Sequence, residues 1–287
     1  MSFEFTILLA LIQGITEFLP ISSSGHLVLL WEVTEQGEAG AFSVSDGMDQ
    51  VFNQRAIDVA AHVGTLVAVL LFFRADIARL FGGFLGTFRT ERGEQTRLFW
   101  LLVLASLPLI AAGLFLSDLV DLIRENPVVV ALASIGFGLV IWFFDATRPN
   151  LKTTEVQLDT RGALVFGFFQ ALALIPGTSR SGITMAAGRA LGFDRASGTK
   201  IALLLSIPAI SASAAYETLR LVTADVGMIA PGLWTQAGTV AVLCAVTAYV
   251  TLAVFTRFLP HTGFLPYVLY RVGLGLVILA AVALGWF

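Results

Sequence analysis

Two short polar stretches interrupt an otherwise apolar chain, and both carry residue types that could act on an anion. In the first, Gln13 and Glu17 are four apart, which puts both side chains on one helical face, and Pro20, Ser22, Ser23, Ser24 and His26 follow. In the second, Pro176 and Gly177 lead into Thr178, Ser179, Arg180 and Ser181. A hydroxyl-bearing turn that opens a helix supplies a cap and free backbone N–H groups, a ready anion site. Arg180 adds a planar, permanently charged guanidinium suited to bidentate phosphate contact, and the Gln13/Glu17 face offers oxygen ligands. Each group also has a plain structural reading. The serines serve as caps, the Gln/Glu pair as interhelical glue, and Glu17 with Arg180 as a fold-holding ion pair. Packing accounts poorly for Glu, Ser, His and Arg recurring together on two matching breaks.

The elements that must position these groups are set by composition. Of 287 residues, 57% are hydrophobic and 13% charged, with a mean hydropathy of +0.86. Such a chain is solvated by lipid rather than water, and nucleic acid is an unsuitable partner. Apolar runs near 54–73, 98–116, 127–145, 200–218, 236–257 and 265–286 reach the roughly 20 residues needed to span a bilayer. Phe3 to Leu30 and Ala163 to Leu191 are apolar too, but each is cut by its polar break into pieces too short to cross. Broken helices at membrane depth are tolerated where they line a protein cavity, so both are expected to be re-entrant hairpins.

Gln13 and Gln170 precede the two prolines at similar distances, and each half then reads as one hairpin plus three spans. The expected fold is an all-α polytopic membrane protein, one transmembrane domain over 1–287, with an inverted repeat of about 1–150 and 155–287. Three crossings carry the second hairpin to the opposite face, so the two breaks can meet near the midplane. On one face lie Arg74, Arg79, Arg89, Arg92, Arg97, Arg148, Lys152, Arg161, Arg189, Arg195, Lys200 and Arg257, against Arg55, Arg124 and Arg220 on the other. This split assigns the basic face to the cytoplasm and puts both termini, and the acidic segment from Glu32 to Asp49, outside the plasma membrane. Glu4 stands where a signal peptide would be basic, so the N-terminus is expected to be retained. The single cysteine, Cys244, reads as a buried apolar side chain. Asp58 and His62 read equally well as a satisfied intramembrane pair or as catalytic residues, and Tyr216, Glu217 and Arg271 as interfacial or snorkelling.

The strings QGITEFLPISSSGH (13–26) and PGTSRSGIT (176–184) resemble the two signatures of the undecaprenyl-diphosphate phosphatase family linked to bacitracin resistance. The hydrophobic layout is similar over essentially the whole chain. The resemblance implies a membrane hydrolase, dependent on a divalent cation such as Mg²⁺ or Ca²⁺, that removes the terminal phosphate of a polyprenyl diphosphate to regenerate a monophosphate carrier lipid for cell-wall polymers. By the same resemblance Glu17 matches the essential acid, Gln13 its Glu-or-Gln partner, Ser23 the proposed nucleophile, His26 the catalytic histidine and Arg180 the phosphate-binding arginine. Ser22, Ser179, Ser181 and Thr184 match supporting hydroxyls, and Ser24 and Thr178 join them as expected substrate contacts. Glu17 with Gln13 would meet the metal. Gln13 is neutral, so it cannot be a general base and brings no charge to that ion.

The expected chemistry is in-line attack by Ser23, activated by His26 or Glu17, with a metal-activated water as the variant. A second copy of the chain is a candidate partner beside the lipid and the bilayer. A polyprenyl-phosphate transporter or flippase is the rival from another class, because broken helices in inverted repeats are a transporter arrangement. The type 2 phosphatidic acid phosphatases share Ser-Gly-His with residues 24–26, but they place a histidine where this chain has Ala186.

Overall fold

The computed structural model describes residues 3–23, 25–27, 29–30, 47–89, 93–123, 126–223 and 232–285. Ser24, Arg92, Arg124 and the acidic stretch 32–46 lie outside the described residues. Among the described residues, 23, 25–27 and 29–30 are helical after the first break, and the helices are α1 (Phe3–Thr16), α2 (Gly47–Phe72), α3 (Arg74–Gly86), α4 (Glu94–Phe115), α5 (Ser117–Ile123), α6 (Pro127–Thr147), α7 (Thr160–Ala171), α8 (Arg180–Ala190), α9 (Arg195–Thr223), α10 (Leu233–Thr262) and α11 (Leu265–Ala283). Six of these, α2, α4, α6, α9, α10 and α11, are long and apolar enough to cross a membrane. They match the six runs read from sequence, and the protein is an all-α, multi-pass membrane protein. Two helices were not expected. α3 and α5 are too short to span, so the length test that finds membrane helices passes over them.

Helix ends follow local chemistry. Asn126 caps α6 by accepting from the N–H groups of Val128 at 3.0 Å and Val129 at 3.2 Å, with Pro127 at the first turn. Asp159 caps α7 by accepting from Gly162 N at 2.7 Å. α10 runs between two glycines with positive φ, Gly232 at 81° and Gly263 at 65°, a backbone state that costs glycine little.

The pairing of helices is reciprocal between the halves. α1 packs on α10 and α7 on α4; the spans that follow each hairpin, α2 and α9, pack together, as do the last spans, α6 and α11. In lipid, close approach depends on small residues. Where α2 meets α10, a Cβ on Gly64 would fall 2.2 Å from the carbonyl oxygen of Ala241, so only glycine permits that contact. The main core gathers Phe18, Phe166, Ile183 and Leu252 from the two breaks and the spans around them. The breaks are thus seated in protein rather than lipid.

At the basic end, Asp145 accepts from Arg189 Nε at 3.0 Å and from Arg195 Nε at 2.9 Å. Lys200 reaches Asp76 at 2.8 Å and Glu155 at 2.5 Å. This second cluster fastens α3 and the 3₁₀ turn Glu155–Gln157 to α9.

Candidate active site

The two kinks meet. Glu17, one residue beyond α1, is 6% exposed, and its Oε1 accepts from an Arg180 guanidinium N–H at 2.6 Å. Its Oε2 accepts from Gln13 Nε2 at 3.0 Å and from the Ser23 hydroxyl at 2.9 Å. Ser181 Oγ donates to the Leu19 carbonyl at 2.9 Å, a second link between the breaks. Four groups singled out from sequence, Gln13, Glu17, Ser23 and Arg180, therefore form one contiguous cluster.

Both kinks are built alike. Ser22 and Ser179 are the non-glycine residues with positive φ among those described, at 72° and 68°. Such a conformation is costly for an L-residue and persists only when its surroundings enforce it. In each kink the serine Oγ accepts from the glycine N–H three residues on: Gly25 N at 3.4 Å for Ser22, and Gly182 N at 3.2 Å for Ser179. These hydroxyls act as helix caps, as their plain reading holds.

Glu17, Ser23 and Arg180 of this cluster, with Gln13 buried behind them, form the polar end of a cavity of about 370 Å³. Glu17, Ser23, His62, Ser179 and Arg180 line that end; Leu109, Ile110, Leu114, Leu174 and Ile210 make an apolar wall; Arg55, Asp121, Tyr216 and Glu217 also face the space. A charged head group and the first units of an apolar tail fit such a shape. Arg220, whose guanidinium donates to Asp121 at 2.8 Å, ties α9 to α5 beside the cavity.

Other expected contacts lie elsewhere. His26 does not line the cavity; Nδ1 is 2.7 Å from the Ser22 carbonyl and Nε2 is 2.6 Å from the Tyr270 hydroxyl, so both ring nitrogens are engaged. The Thr184 hydroxyl donates back into its own helix, to the carbonyls of Arg180 at 2.7 Å and Ser181 at 3.0 Å. Thr178, Ser22 and Ser181 are buried behind the cavity wall. His62 does face the cluster, with Nε2 3.9 Å from Glu17 Oε2 and Nδ1 2.7 Å from the Asp58 carbonyl. Arg55, Asp58 and His62 recur at intervals of three and four and share one face of α2, a spacing that marks them in the sequence. Tyr216 and Glu217, read as interfacial, line the cavity instead. Arg271, read as interfacial or snorkelling, is wholly buried. Position near a span end does not reveal which face of that span turns inward.

Among the described residues no three His, Cys, Asp or Glu side chains gather as a metal cage. A hard dication that keeps most of its waters and rides on phosphate oxygens needs only one or two protein oxygens. Glu17 fits that mode, as does Gln13 Oε1, which is buried and, among the described residues, has no hydrogen-bond partner.

A polar cluster facing an apolar wall, inside a helical membrane bundle, is the class of site suited to an amphiphile with a charged head. The chain matches the family model for the bacitracin resistance protein BacA over residues 6–277. It is 40% identical over 282 residues to an undecaprenyl-diphosphatase of Saccharophagus degradans, covering 98% of this chain and 97% of the relative. An undecaprenyl-diphosphatase of Maricaulis maris is 42% identical over 282 residues, covering 97% and 98%. An undecaprenyl-diphosphatase 2 of Stutzerimonas stutzeri is 39% identical over 276 residues, covering 95% and 96%. The chain belongs to the BacA family.

Proposed function

We infer that this protein is an integral-membrane phosphatase that hydrolyses a polyprenyl diphosphate of undecaprenyl type to the monophosphate and inorganic phosphate. The observation that carries the mechanism is the Ser23 hydroxyl donating to Glu17 at 2.9 Å while Arg180 stands on the other oxygen of the same carboxylate. A nucleophile needs a base within hydrogen-bond reach, and Glu17 meets that condition. Glu17 takes the Ser23 proton as Oγ attacks the terminal phosphorus. The bond from that phosphorus to the bridging oxygen breaks, the lipid monophosphate leaves with the bonding pair, and phosphoserine is formed. Water then attacks the phosphoserine, restores the hydroxyl and releases inorganic phosphate.

Arg180 turns from Glu17 to the diphosphate, and its second terminal nitrogen, buried and without a partner among the described residues, supplies the other prong of a bidentate grip. His62 faces the same space and can receive or return a proton at Nε2. His26 holds the kink by joining the Ser22 carbonyl to Tyr270. Glu17 and Gln13 would hold a divalent cation, which would supply charge neutralisation at the diphosphate. The apolar wall lets the isoprenoid stay in lipid contact, sparing the roughly 0.8 kcal/mol per CH₂ that transfer to water costs. The reciprocal helix pairing supports an inverted repeat, and the basic-residue asymmetry supports a plasma-membrane orientation with both termini outside.

The test is phosphate release by purified protein in detergent from a polyprenyl diphosphate with Mg²⁺. Label from the terminal phosphate is expected on Ser23 after acid quench. Full turnover by Ser23→Ala would reject the covalent route and leave direct attack by water.

A further inference from the structure

We infer that Arg271 on α11 is a positioning residue for this reaction, pinning the two kinks to each other so that Glu17 and Ser23 stay opposite Arg180. The inference rests on the phosphatase reading above. Arg271 is 0% exposed, and among the described residues it takes part in no ion pair. Its guanidinium instead donates to four main-chain carbonyls. Nε reaches Ser134 O at 3.0 Å, one terminal nitrogen reaches Pro20 O at 3.3 Å, and the other reaches Gly177 O at 3.0 Å and Ala133 O at 3.5 Å.

Pro20 and Gly177 belong to the two breaks. Among the described residues no backbone N–H donates to either oxygen, because both lie outside regular helix. Unmet carbonyls inside a membrane protein are expensive, and a guanidinium can meet several at once in one rigid plane. A carboxylate partner would have fixed one side chain. Carbonyl partners fix the backbone of both kinks at a set separation.

The surroundings are shaped for this guanidinium. A Cβ on Gly182 would come 3.1 Å from a terminal nitrogen, closer than ordinary contact allows. Gly182 lies two residues from Arg180 on α8. The preceding residue, Tyr270, holds His26, which in turn holds the Ser22 carbonyl. Consecutive residues of α11 thus grip the first kink twice and the second once. α6 and α11 already pack along their lengths, so the reach to Pro20 and Gly177 adds little to that interface. It sets the spacing on which the 2.6 Å Arg180–Glu17 contact and the 2.9 Å Ser181–Leu19 bond depend.

The experiment compares Arg271→Met and Arg271→Lys with wild type as full chains in detergent, with folding followed by size exclusion and thermal melting. Arg271→Met is expected to lower kcat for phosphate release by about 100-fold while KM changes less than about threefold, because misalignment costs the reacting geometry more than the binding. Arg271→Lys keeps the charge but not the planar fork, and is expected to lose about 10-fold. Combining Arg271→Lys with Arg180→Lys should give less than the product of the single losses, since a kink already out of register gains little from the Arg180 fork. Folded variants with wild-type kcat, or losses that multiply independently, would overturn the inference. So would failure of both variants to accumulate as folded protein, which would make Arg271 a folding residue only. Absence of phosphate release by wild type would sink the phosphatase reading itself, and this inference with it.

Discussion

The break after Pro20 and the break after Pro176 share a backbone device and carry opposite charges. Each turns through a positive-φ serine whose hydroxyl caps the helix that follows. The first then presents a carboxylate and a hydroxyl, Glu17 and Ser23; the second presents a cation, Arg180. A repeated scaffold can thus be split into an attacking side and an anion-holding side, with chemistry arising only where the two close on one another. On the proposed mechanism neither kink is sufficient alone. The carboxylate without the guanidinium would be an unpaired buried charge, and the guanidinium without the carboxylate would be another.

The comparison is broken most directly by removing one side at a time. Ser23→Ala should lower phosphate release by at least about 1,000-fold, because no other hydroxyl donates to Glu17 among the described residues. Arg180→Ala should cost about 100- to 1,000-fold, the usual loss for a preorganised charge-stabilising donor. An Arg180 variant that turns over normally would show the second kink to be scaffold only. His26→Ala tests whether the first kink needs its brace: about 100-fold loss of kcat is expected through a displaced Ser23, with Tyr270→Phe losing less.

Stability measurements sharpen the same contrast. Gly177 sits at φ 89°, and a Cβ there would fall 2.2 Å from the Val130 carbonyl oxygen. Gly177→Ala should therefore destabilise by about 2–4 kcal/mol in a thermal melt, a cost of backbone strain plus overpacking. Far from both kinks, burial tends to raise the Glu155 carboxyl, but its bond to Lys200, a backbone hydrogen bond and the charges of Lys200 and Arg79 together outweigh this and hold it below the usual carboxylate value. Its contribution is present above the ordinary carboxylate pKa and is lost as pH falls through the lowered one. Glu155→Gln should remove that acid-side loss, an effect of at most about 1 kcal/mol for a partly screened pair, measured as Tm between pH 7 and pH 4.

Much of this was legible in the residues. Apolar run length finds the six spans, since bilayer thickness fixes what a crossing helix must be. The polar breaks give Gln13, Glu17, Ser23 and Arg180, because charge inside a membrane is costly enough to mark a site. α3 and α5 escape because a search keyed to span length passes over short helices; the apolar Ile77, Leu80, Phe81, Phe84 and Leu85 recur at helical spacing and are the signal that could have found α3. His62 and Arg271 are visible as intramembrane ionisable residues, but their partners are not. Arg271 answers to main-chain carbonyls, which every residue possesses and no sequence pattern advertises. The outward turn of His26 toward Tyr270 depends on a contact 244 positions away, a separation that local spacing cannot encode.

The grip of Glu17 on Arg180 bears on how a turnover ends. The guanidinium has a resident tenant, and any incoming anion must evict it. A lipid-borne diphosphate, with more charge and a tail anchored along the cavity wall, is equipped to do so. The freed inorganic phosphate has no such anchor, and the returning carboxylate competes with it for the same fork. The enzyme would therefore shed its small product readily and resist inhibition by it, a self-clearing behaviour written into one ion pair.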